Sequence, residues 1–106
     1  MVDIEEGYPV TVNDAGMAAT AAAVATSVVG ERAVVEMPAP VMGAEDFSYL
    51  LEQVPGAMVF LGAMPSGTRS PAPNHSNRMV LDEAAMAPGI ALYSAVALDQ
   101  LAPAHG

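Results

Sequence analysis

A chain of 106 residues bounds one domain at most, and 53% hydrophobic against 14% charged residues is apolar for that length. The formal net charge is −9, and Arg32, Arg69 and Arg78 are the only lysine or arginine residues. No basic patch follows, which excludes nucleic acid and electrostatic attachment to an anionic membrane as partners. The absence of cysteine excludes disulfides and thiol catalysis.

Residues 1–6 are acidic and lack the apolar core of a signal peptide, so a cytoplasmic location is expected. Tyr8, Val10 and Val12 alternate with Pro9 and Thr11, the period of a strand, and Pro9 places that strand at an edge. Such an edge can pair with a second copy of the chain, so a homo-oligomer is one expected partner state. Asn13 is a preferred N-cap and Asp14 suits a first turn, predicting a helix over 13–29 that ends at Gly30. Met17, Ala21, Val24 and Val28 recur at helical spacing and mark its packing face. Ala33, Val34 and Val35 predict a short strand, broken by Pro38 and Pro40.

Gly43 then opens a turn, and Glu45 and Asp46 begin a short helix, where carboxylates face the positive end of the dipole. Phe47, Leu50, Leu51 and Val54 fall on one face of it. Pro55 and Gly56 end it, and residues 58–61, Met-Val-Phe-Leu, predict a strand buried on both faces. Residues 64–78 carry Pro65, Gly67, Pro71 and Pro73 and read as a long loop. The last helix is predicted from Asp82 or Pro88 to Leu101, with Met86, Ile90, Tyr93, Ala97 and Leu101 as its stripe. The charge-free stretch 84–98 inside it is shorter than a membrane span and reads as a buried helix. Residues 102–106 are expected to fray, leaving His105 without a role.

Three positions carry possible chemistry. His75 follows the apolar run in a polar loop, where it is either a solvated loop histidine or a ligand for zinc, manganese or cobalt. Glu45, with Asp46, is either a helix-start carboxylate or a wall of a substrate site. Gly43 is either an ordinary turn residue or a place where backbone approaches a ligand closely. Asp82 and Glu83 read as a cap and first turn rather than an acid pair.

Three motifs stand in order: Gly43-Ala44-Glu45-Asp46-Phe47, then Val54-Pro55-Gly56 running to Leu61-Gly62, then His75 followed by Asp82-Glu83. Together they resemble the C-terminal end of the M20 metallo-amidohydrolases, in the branch of hippurate, N-acyl-amino-acid and auxin-conjugate hydrolases. The resemblance runs from about residue 8 to 101. Asn77-Arg78-Met79 departs from the family's more aromatic run before its Asp-Glu pair.

The resemblance implies an α/β fold: a partial three-layer sheet with helices in the order β-α-β-α-β-α, from the C-terminal part of the catalytic domain. Residues 1–12 would be a residual strand of the family's inserted small domain, and 13–106 catalytic-domain sequence. It implies hydrolysis of the amide bond of N-acyl amino acids by a metal-activated water, with zinc or manganese in the complete enzyme. His75 would be the last metal ligand, and Gly43 and Glu45 would bind substrate. No catalytic residue falls within this chain, because the family's other ligands and its catalytic glutamate lie upstream. A two-metal hydrolase needs several ligands and a base, and this chain offers one suitable histidine and no H-x-D pair. It is therefore expected to be incomplete as an enzyme and to bind no metal alone. The alternative is a non-catalytic domain that stands alone or self-associates through exposed apolar faces. A small metal-binding protein is a weaker third reading.

Overall fold

Asp14 holds an extended backbone, φ −64° and ψ 130°, while its carboxylate accepts a hydrogen bond from the Met17 N–H. That cap starts helix α1, Ala15–Val29, in the computed structural model, which describes residues 1–102. The helix ends at Gly30, whose φ of 86° an L-residue rarely adopts and whose N–H donates to the Thr26 carbonyl. A 3₁₀ turn, Glu31–Ala33, follows. Helix α2 is a single turn, Ser48–Leu51. The Asp82 carboxylate caps a second 3₁₀ turn, Glu83–Ala85, which runs directly into helix α3, Met86–Leu101. Pro88 lies in the first turn of α3, where its missing N–H is not needed. The chain divides into two compact units, Met1–Val59 and Phe60–Gly106.

In the first unit, α1 turns Met17, Ala21, Val24 and Val28 inward, as the spacing predicts, and Ala21 and Ala25 are the buried hydrophobic residues. An alanine buries one methyl, and a CH₂-sized group contributes about 0.8 kcal/mol, so this core stabilises little. Polar ties hold the start of α1 instead. The Asp14 N–H donates to the Gly56 carbonyl at 2.8 Å. Asn13, the expected cap, serves as a clamp: its side-chain amide donates to the Met58 carbonyl at 3.2 Å and accepts from the Met58 N–H at 2.8 Å. Tyr8 meets Tyr49 edge to face, with ring centroids 5.7 Å apart.

No strand forms among the described residues, which contradicts the expected α/β partial sheet. The segments 8–12, 33–35 and 58–61 have strand-like composition, but a strand exists only where a neighbour completes its ladder. None of the three finds one among the described residues. Residues 58–61 were expected to be buried on both faces, yet Val59, Phe60 and Leu61 are all exposed. The helix predicted around 47–54 shrinks to one turn, with Leu50 and Val54 exposed.

In the second unit, the Asp82 N–H donates to the Ala63 carbonyl at 2.8 Å and closes the base of the long loop. Leu61 lies against α3 so closely that a Cβ built on Gly89 would stand 2.9 Å from its Cδ2. The partly covered face of α3 carries Pro88, Gly89, Leu92, Ala95 and Val96. The expected packing stripe, Met86, Ile90, Tyr93, Ala97 and Leu101, faces solvent instead. No residue of α3 is buried, so the buried-helix expectation for 84–98 does not hold in this chain. The continuous helical run Glu83–Leu101 has 19 residues and a mean hydropathy of 1.2, enough by length and composition alone to cross a membrane. His105 lies outside the described residues.

Candidate functional site

The loop from Ala63 to Asp82 is built of tight turns. The Thr68 N–H donates to the Pro65 carbonyl at 3.2 Å, across a turn whose third residue, Gly67, has φ 78°. The Ser76 N–H donates to the Pro73 carbonyl at 3.1 Å, across a turn whose third residue is His75, with φ 67°. Both turns start at proline and place positive φ third, the position where glycine is normally required. In the first that residue is glycine; in the second it is the candidate ligand. His75 is the one non-glycine residue with positive φ among the described residues. The left-handed region costs an L-residue roughly 1–2 kcal/mol, somewhat less for His, Asn and Asp, which are enriched there.

Ser76 locks the following turn. Its carbonyl accepts from the Met79 N–H and its hydroxyl accepts from the Arg78 N–H, both at 3.1 Å. The His75 side chain is exposed and makes no hydrogen bond among the described residues, so both ring nitrogens are available to a ligand.

Gly43 and Glu45 belong to the other unit. Gly43 does not occupy the left-handed region, and a Cβ built there would meet only Val41 Cγ1, at 3.8 Å. The fold therefore does not require glycine at that position. The Glu45 carboxylate accepts from the Phe47 N–H at a long 3.5 Å, and the Glu45 carbonyl accepts from the Ser48 hydroxyl at 2.8 Å. Glu45 thus serves the start of α2, and its second carboxylate oxygen makes no hydrogen bond among the described residues. Ser48, at 0% exposure, is the most enclosed side chain described, and its hydroxyl fixes the turn that carries Glu45. The sequence hint was a hydroxyl three residues after a turn carboxylate, too common a pattern to single Ser48 out. Neither Gly43 nor Glu45 lines the open groove of about 540 Å³ between the start of α1 and residues 51–55.

No group of three or more His, Cys, Asp or Glu side chains among the described residues could hold a metal ion. A catalytic zinc typically takes three protein ligands. His75 offers one, so the residues present do not by themselves fit a catalytic metal.

The chain belongs to peptidase family M20/M25/M40, whose model matches residues 1–99. It is 34% identical over 95 residues to thermostable carboxypeptidase 2 of Saccharolobus solfataricus, covering 90% of this chain and 23% of that protein. It is 36% identical over 96 residues to the IAA-amino acid hydrolase ILR1-like 2 of Arabidopsis thaliana, covering 91% and 21%. It is 43% identical over 54 residues to the N-acetyldiaminopimelate deacetylase of Leuconostoc citreum, covering 51% and 13%. The chain spans about a fifth to a quarter of the length of the first curated relatives it matches. No solved structure matches it.

Proposed function

We propose that this chain supplies the His75 loop and the Gly43–Glu45 turn to the catalytic domain of an M20 hydrolase that cleaves the amide bond of N-acyl amino acids. The observation that carries the reading is His75 itself. A histidine held at φ 67°, in a turn position where Gly67 serves the equivalent turn, sits there at a conformational cost. An exposed imidazole with both nitrogens free gives that cost a purpose. The names of the relatives support the bond type: a carboxypeptidase, an amino-acid-conjugate hydrolase and a deacetylase.

In this reading His75 would be one of several ligands holding a divalent metal, zinc or manganese, in the intact hydrolase. The remaining ligands and the base come from family sequence that this chain does not contain. The free oxygen of Glu45 and the backbone at Gly43 orient the substrate. The chain alone is not a catalyst. The test is His75→Ala in the intact hydrolase: activity is abolished, and retained activity refutes the assignment.

A further inference from the structure

We infer that Arg78 is a specificity-determining residue of the proposed hydrolase: its guanidinium binds the free carboxylate of the N-acyl amino acid. The inference rests on the proposed function for the substrate and adds the group that selects it.

Charge is segregated along the chain. None of its 12 Asp and Glu residues falls between Glu52 and Asp82, whereas two of its three arginines, Arg69 and Arg78, do. With two arginines, no acid and a neutral His75, the stretch 53–81 is formally +2 in a chain of net charge −9. An anionic substrate is repelled by the rest of the chain and drawn to this stretch. The acid that ends the stretch, Asp82, is engaged in accepting from the Ala84 N–H at 3.0 Å. A guanidinium matches a carboxylate with two parallel hydrogen bonds and keeps its charge at any working pH.

Turn geometry selects between the two arginines. Two β-turns follow one another, Pro73–Ser76 and Ser76–Met79, each closed by a backbone hydrogen bond of 3.1 Å. His75 is the third residue of the first turn, and Arg78 is the third residue of the second. Ser76 joins them: its hydroxyl accepts from the Arg78 N–H at 3.1 Å and fixes the backbone that carries the guanidinium. Three residues of chain span at most about 11 Å, so the two Cα atoms lie within that distance of each other. An N-acyl amino acid separates its scissile carbonyl from its carboxylate only by the amide nitrogen and the α-carbon. Neighbouring turns therefore suit its two ends, the carbonyl on the His75 side and the carboxylate on the Arg78 side. Arg69 lies six residues before His75, across Pro71 and Pro73, and no hydrogen bond among the described residues holds its backbone.

The experiment compares, in the intact hydrolase, an N-acyl amino acid with the same compound whose carboxylate is replaced by a primary carboxamide. Arg78→Gln should lower kcat/KM for the acid about tenfold to a hundredfold, chiefly through KM, and leave the carboxamide within about twofold. Arg78→Lys, which keeps the charge but loses the fork, should fall between the two. Arg69→Gln makes the same charge change on the same loop and should leave both substrates unaltered. Three outcomes overturn the inference: an equal loss on both substrates in Arg78→Gln, no loss on the acid, or an Arg69→Gln variant that reproduces the Arg78→Gln result. His75→Ala separates this inference from the reading beneath it. Activity retained in His75→Ala refutes the role of His75, whereas both substrates lost there, with no acid-specific effect at Arg78, refutes the carboxylate site alone.

Discussion

Replacing His75 with glycine should make the turn more stable. At φ 67° an L-residue sits in the left-handed region, at roughly 1–2 kcal/mol. Glycine removes that cost but gives back about 0.5–1 kcal/mol through the greater freedom of the open chain. The net gain is about 0.5–1 kcal/mol. At about 1.4 kcal/mol per factor of ten, the closed turn gains roughly two- to fivefold over the open one. The reporter is the Ser76 amide, which donates to the Pro73 carbonyl across the turn. Its hydrogen exchange should slow by that factor in His75→Gly and quicken in His75→Val, whose β-branch tolerates positive φ poorly. Thr68, in the glycine-bearing turn, is the internal control and should not change. In the intact hydrolase His75→Gly should abolish activity while the turn tightens. Unchanged or faster Ser76 exchange in His75→Gly would show that the turn stores no strain, and the argument for a functional histidine would fall.

Other perturbations test the remaining contacts. Asn13→Ala removes both bonds to Met58, each worth about 0.5–1.5 kcal/mol and near the low end at an exposed site. Exchange of the Met58 amide should rise about fivefold, and no change would mean that the clamp is not formed in solution. Asp14→Ala deletes the α1 cap and should cost about 1 kcal/mol of helix stability, read as lost ellipticity at 222 nm on heating, whereas Asp14→Asn should cost little. Gly43→Ala should leave the helices and the melt of the chain unchanged, because the added methyl meets only Val41 Cγ1 at 3.8 Å. In the intact hydrolase the same change should raise KM if backbone meets substrate there. A destabilised chain would instead give the glycine to the fold.

Local signals were readable along the chain; features that need a distant partner were not. The extent of α1, its inward stripe of Met17, Ala21, Val24 and Val28, and its end at Gly30 follow from spacing and capping chemistry that act within a few residues. The three M20 motifs are local patterns as well, and they carried the family. The cap moved from Asn13 to Asp14 because Asn13 is drawn to Met58, 45 residues away, and nothing near Asn13 announces that bond. The predicted strands failed for the same reason. The apolar run at 58–61 is compatible with a strand, but a ladder needs a second chain segment, and none among the described residues supplies one. Helix α3 is apolar all round, so its periodicity could not say which stripe turns inward. Contact with Leu61 at Gly89 settles that in favour of Pro88, Gly89 and Leu92 over Met86, Ile90 and Tyr93. The left-handed backbone of His75 was equally hidden, since turn geometry, not residue type, sets φ there, and it is the feature on which the functional reading rests.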